Sequence, residues 1–222
     1  MFKIFTKNKY ERGMTIVELL VVIGIFTIIS VIIIFDYGKF RSTSSLQNLA
    51  DDVALSVRKA QSFAIGVRGA GSGGFSPGYG VHFSIENIDP SELTTYSGSN
   101  RSFVLFANID NDISYDNNGS CGITSLIEGN ECIEELKVMS TDRISSIIYS
   151  QGGSDYEIRE GDVIDIFFLR PNPEPTFCYK TESSSTCDVE NISYVKIEIK
   201  YDANPDYIKT VTIYNNGQIS VT

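Results

Sequence analysis

Gly13-Met14-Thr15-Ile16-Val17-Glu18-Leu19-Leu20-Val21-Val22-Ile23-Gly24-Ile25-Phe26-Thr27-Ile28-Ile29-Ser30-Val31-Ile32-Ile33-Ile34-Phe35 is the stretch from which the rest of the chain is read. About 20 helical residues at about 1.5 Å each cover a hydrocarbon core of about 30 Å, so residues 14–35 predict a single membrane-spanning helix. Glu18 interrupts the apolar pattern near its start. An acid costs about 2.5 to 3.5 kcal/mol at the centre of such a helix and less toward its ends. A carboxylate kept at that cost marks a functional position, the alternative being a plain anchor whose acid snorkels to the interface.

Upstream lie Lys3, Lys7, Lys9 and Arg12, a basic leader over residues 1–13 that holds the N-terminus in the cytoplasm and sends the chain after residue 35 outside. A secretory signal is cut at small residues after its apolar region. Here the small residue placed for a cut is Gly13, ahead of that region. Gly13, then Met14, then Glu18 as the fifth residue after the glycine, then an apolar helix, resembles the prepilin-type cleavage and methylation motif of type IV pilins and type II secretion pseudopilins. The resemblance implies a prepilin peptidase that cuts between Gly13 and Met14 and methylates the new Met14 amine. It also implies that Glu18 lies beside the Met14 amine of a neighbouring subunit, so that packing neutralises a charge that is costly alone. The implied partners are other pilins or pseudopilins in a filament and an inner-membrane assembly platform, and the implied location is a bacterial inner membrane with the C-terminal part periplasmic or extracellular. Two departures stand out: Met14 replaces the usual phenylalanine, and the absence of proline between residues 14 and 67 removes the usual cause of a sharp kink.

Beyond Phe35 the helical pattern continues. Leu46, Leu49, Val53, Val57, Ala60 and Ala64 recur every three or four residues, with Asp51, Asp52, Arg58, Lys59 and Gln61 between them. Residues 36–66 therefore predict an amphipathic continuation, one rod of about 80 Å from Met14 to Gly66, ended by Gly66 and the glycines after it. Leu49-Ala50-Asp51-Asp52 and Ser56 to Gly66 resemble the end of the long helix in H-type minor pseudopilins and related minor pilins. Gly69, Gly71 and Gly74 match G-x-G-x-x-G formally but follow a helix and precede a strand, the reverse of a dinucleotide site, and read as a connector.

From residue 67 to 222 the period is two. Tyr79, Val81, Phe83 and Ile85 alternate with small or polar residues, as in a half-buried strand. Further strands are predicted over 102–107, 135–139, 144–149, 163–169, 194–201, 208–214 and 218–221, with Asn215-Asn216-Gly217 as a hairpin turn. Residues 87–100 and 171–191, rich in Ser, Pro, Asn and Glu, read as surface loops. The predicted fold is α+β: a long N-terminal helix packed on an antiparallel β domain, pilin-like.

Lys and Arg total 18 against 28 Asp and Glu, a net charge of −10. Removing the leader deepens it, since the leader carries four basic residues against Glu11 alone. Such a surface disfavours nucleic acid. Cys121, Cys132, Cys178 and Cys187 all follow the membrane segment and form two close pairs, suited to disulfides in an oxidising compartment. Three connectivities are open. Cys121 with Cys132 and Cys178 with Cys187 is favoured, because each closes a polar loop bearing turn residues. A four-cysteine zinc site wants C-x-x-C spacing, which is absent.

His82 is the lone histidine, in mid-strand with no G-x-S-x-G elbow, and reads as structural. Asp110, Asp112 and Asp116 alternate with other residues in the manner of a calcium loop, without the sixth-position glycine and twelfth-position glutamate of an EF-hand. They are weak calcium candidates, and the same acidic stretch resembles the Asp-rich loop of H-type pseudopilins. No enzyme activity and no cofactor are expected. The sequence points to a pilin-like structural subunit with Gly13 and Met14 for processing and Glu18 for assembly. The alternatives are a minor pilin for DNA uptake or adhesion, or an anchored extracytoplasmic calcium- or ligand-binding module. A DNA-uptake pilin calls for a basic loop or tail, and Tyr214 to Thr222 holds no Lys or Arg.

Overall fold

The structure, a computed structural model, describes residues 13–66, 78–87, 98–110, 112–116, 121–122, 130–182, 187, 191–202 and 204–222. The leader residues 1–12 and the glycine connector lie outside these. The chain divides into two units, one to Arg41 and one from Ser42 to Thr222. A single helix, α1 (Ile16–Ile65), contributes to both. In the first unit Ile16–Ile34 is long and apolar enough to cross a membrane, and none of it is buried. Its Thr27 hydroxyl donates to the Ile23 carbonyl at 2.7 Å, which satisfies a polar group that hydrocarbon would leave unpaired.

In the second unit ten strands are found among the described residues: β1 (Gly78–Ser84), β2 (Ser102–Ala107), β3 (Cys132–Lys137), β4 (Asp142–Gln151), β5 (Ser154–Glu157), β6 (Val163–Leu169), β7 (Pro175–Lys180), β8 (Ile192–Tyr201), β9 (Asn204–Tyr214) and β10 (Ile219–Val221). They form two antiparallel sheets, ordered β3-β2-β1-β6-β7 and β10-β9-β8-β4-β5. The α+β class read from the sequence is the observed one. One core gathers Leu46, Leu49, Val53, Val57, Ala60 and Ala64 of α1 with Val81, Phe83, Phe103 and Ile166 of the first sheet and Ile147, Val195, Ile197 and Val211 of the second. The helical stripe is apolar because this face is taken out of water, at roughly 25 cal/mol per Å² of apolar area. Lys59 pairs with Glu134 of β3 at 2.5 Å on the rim, and Ser45 donates to Asp142 at the start of β4. The helix closes where the Gly66 N–H reaches the Ser62 carbonyl at 2.9 Å.

Several elements differ from the sequence expectation. α1 begins at Ile16 and not at Met14, since Thr15 caps it. β1 is buried on both faces rather than half-buried. Its outer face lies under a second apolar cluster of Val104, Phe106, Tyr115, Cys132 and Phe167, to which the segment after β2 contributes Tyr115. β3 runs from Cys132 to Lys137 and not over 135–139; its pairing with β2 shifts register between Leu105 and Phe106, a bulge that alternation alone cannot show.

Part of the supposed surface loop 171–191 is strand β7, paired with β6 from Phe168↔Pro175 to Val163↔Lys180. Proline is tolerated there because β7 is an edge strand and Pro175 its first residue. β5 follows β4 across Gly152 and Gly153, whose φ values of 60° and 87° match a two-residue hairpin turn that only glycine adopts cheaply. At the last hairpin Gly217, at φ 82°, lets its N–H reach the Tyr214 carbonyl at 2.9 Å.

Candidate functional site

Gly13, Met14 and Thr15 precede the helix and are exposed. The Thr15 hydroxyl oxygen accepts the N–H of Glu18 at 3.2 Å, and its carbonyl accepts the N–H of Leu19 at 3.1 Å. Thr15 is therefore the N-cap and Glu18 the third helical residue, the Thr-x-x-Glu spacing of a capping box. This places Glu18 in the first turn, where the partial positive charge of the helix end favours a carboxylate by about 0.3 to 1 kcal/mol. The acid that looked costly in a run of hydrocarbon sits at the end of that run best able to hold it. The Gly13–Met14 junction lies just outside the helix, with both residues solvent-accessible.

A second constellation lies on the outer face of the first sheet. His82 of β1 and Asp165 of β6 are register partners and both buried; the ring Nδ1 lies 2.6 Å from Asp165 Oδ1. With a carboxylate there, Nδ1 carries the hydrogen. Asp165 Oδ2 accepts the N–H of Tyr115 at 3.2 Å, and the Tyr115 ring packs between His82 and Phe106, with centroids 5.0 and 5.4 Å away. Glu131, 1% exposed, accepts the N–H of Ile109 at 3.0 Å and that of Asp116 at 2.8 Å. Two buried carboxylates thus hold three backbone donors of the segment between β2 and β3. The Cys121–Cys132 disulfide ties the far end of that segment to β3, and Cys178–Cys187 anchors the chain after β7.

The same segment brings Asp110, Asp112 and Asp116 together, with one carboxylate oxygen of each within 4.8 Å of the others. Asp110 accepts the N–H of Asp112 at 3.2 Å, and Asp112 accepts the N–H and hydroxyl of Ser114 at 2.8 and 2.9 Å. Burial, and then the charge of Asp112, push the Asp116 carboxyl above its ordinary range. Burial likewise raises Glu131 to about 7, outweighing its two backbone donors, with Asp110 and Asp112 adding to the rise. The donor set is hard oxygen, suited to a cation such as calcium, but one oxygen converging from each of three carboxylates supplies three of the six to eight that calcium takes.

Sequence reading missed Thr15, Glu131 and Asp165. Thr15-x-x-Glu18 ahead of an apolar run is a known start signal. Asp165 inside Val-Ile-Asp-Ile-Phe-Phe-Leu announces a buried acid in need of a partner. Glu131 gave no such signal.

A prokaryotic N-terminal methylation motif matches residues 8–34. The match spans the Gly13–Met14 junction, the Thr15 cap and Glu18, and it supports an N-terminus of the prepilin cleavage and methylation type. Comparison with curated proteins and with solved structures finds no match.

Proposed function

We propose that this chain is a prepilin whose mature form is a pilin-like filament subunit, of the minor pseudopilin kind, in a type II secretion or type IV pilus machine. The observation that carries the proposal is the methylation motif at residues 8–34, supported by a candidate cleavage junction left outside a membrane-length helix. Prepilin peptidase removes residues 1–13 and methylates the amine of Met14. The subunit stays in the inner membrane through α1 with its β domain outside, as the basic leader directs. Assembly then proceeds by lateral packing of the apolar helices, with each Glu18 beside the amine of Met14 on a neighbour.

Removing one partner of a buried ion pair costs about 3 to 5 kcal/mol, and about 1.4 kcal/mol is tenfold in an equilibrium. Glu18→Ala should therefore lower incorporation into filaments by about 100-fold or more. Insertion and the β domain should be unaffected. In vivo cross-linking to sister pilins reads this directly; wild-type incorporation of Glu18→Ala would remove the pairing and favour a simple anchor.

A second reading rests on the convergence of Asp110, Asp112 and Asp116. A calcium ion there would offset the burial and the Asp112 charge that together raise Asp116 and stiffen the segment between β2 and β3. Isothermal titration with calcium, on wild type and Asp112→Asn, tests it. No heat in the wild type leaves the three acids as turn-forming residues only.

A further inference from the structure

We infer that Thr15 is a positioning residue for processing: its hydroxyl stops the helix short of the Gly13–Met14 bond and keeps that bond open to the peptidase. The inference rests on the proposal that a prepilin peptidase cuts there. Hydrolysis adds water oxygen to the Gly13 carbonyl carbon, breaks the bond to the Met14 nitrogen, and leaves a Gly13 carboxylate and a Met14 amine. The Gly13 carbonyl must therefore be free to be attacked.

A helix extended back by two residues would take it away. In an α-helix each N–H bonds the carbonyl four residues earlier, so the N–H of Val17 would fall on Gly13 and that of Glu18 on Met14. The pressure to extend is strong, because unpaired N–H groups are costly in or near hydrocarbon and Met is a good helix former. In the structure the N–H of Glu18 goes to the Thr15 side chain at 3.2 Å. The first helical carbonyl in use is that of Thr15, which takes the N–H of Leu19 at 3.1 Å. Residues 13–15 remain non-helical and exposed. The cap, Thr15, thus lies next to the scissile pair and sets the helix start at Ile16, two residues beyond Met14.

The test is the cleavage rate of the full-length chain in detergent by purified prepilin peptidase, followed by intact mass. Thr15→Val keeps the shape and removes the hydroxyl; Thr15→Ser keeps the hydroxyl, and Thr15→Asn caps with a different shape. The inference expects Thr15→Val to be cut about tenfold more slowly, with Thr15→Ser and Thr15→Asn within about twofold of wild type. Equal rates for wild type and Thr15→Val would overturn it while leaving the processing site standing. Slowing of all three variants would also overturn it, since the peptidase would then be reading threonine itself. An uncut wild type would overturn both the inference and the processing proposal beneath it.

Discussion

Glu131 carries the clearest pH dependence of any single residue. Its carboxyl rises from 4.5 to about 7 on folding, so between those values the folded chain holds a proton that the unfolded chain has released. The stabilisation is complete below about pH 4.5 and is lost as pH climbs through about 7. Denaturant midpoints of the full chain in detergent should therefore fall between pH 5 and pH 7.5, by the equivalent of about 1 to 3 kcal/mol. In Glu131→Gln most of that fall should vanish, although the variant is weaker at every pH because an amide N–H₂ now faces a backbone N–H. Gly80 is a second sensitive position for a different reason. A Cβ there would lie 2.6 Å from two ring atoms of Phe106 and 2.9 Å from the Ile166 carbonyl, so Gly80→Ala should cost about 1 to 3 kcal/mol in a thermal or denaturant melt. Neither residue was legible in the sequence. In the sequence Gly80 is one of the small or polar residues alternating with an apolar face, and nothing sets Glu131 apart from the other acids. Their roles come from what the fold lays over the outer face of β1. Glu18 was legible, because its cost is a property of its immediate neighbours.

At the scale of elements, what could be read followed how local the governing interaction is. The buried stripe of α1 was visible from Leu46 to Ala64, because i, i+3 and i+4 neighbours fix a helix face. Strands β2 and β6 have the predicted bounds, each being a dense apolar run. β5 was missed despite the Gly152-Gly153 pair, a hairpin signal in itself, because its four residues are exposed and too short to show a period. β7 was hidden by Pro171, Pro173 and Pro175, which suggest a loop until an edge position makes one of them acceptable. The disulfide loops belong to this scale as well. Cys121 and Cys132 are separated by 11 residues, and closing a loop of that size in the unfolded chain is worth about 2 to 3 kcal/mol. The paired Cys121→Ser, Cys132→Ser variant should lose about that much in a urea titration at neutral pH. An unchanged midpoint would mean that Glu131 and Asp165 hold the segment without the bond.

For the molecule as a whole, the acidic balance and the N-terminal design carry the functional meaning. The net charge of −10 makes the surface as a whole unfavourable to nucleic acid. The strands of the second unit pair with one another in two sheets, while the first unit leaves an apolar helix with none of Ile16–Ile34 buried. An apolar helix of that length matches a bilayer's hydrocarbon core, and in the proposed function like helices cover it after assembly. The proposed function turns on a processing event that would convert a membrane-held precursor into a subunit. Its most direct measurement is the intact mass of the full-length chain after co-expression with a prepilin peptidase. The predicted result is loss of residues 1–13 and one methyl group on the Met14 amine; a retained leader, or a cut beyond residue 35, would contradict it.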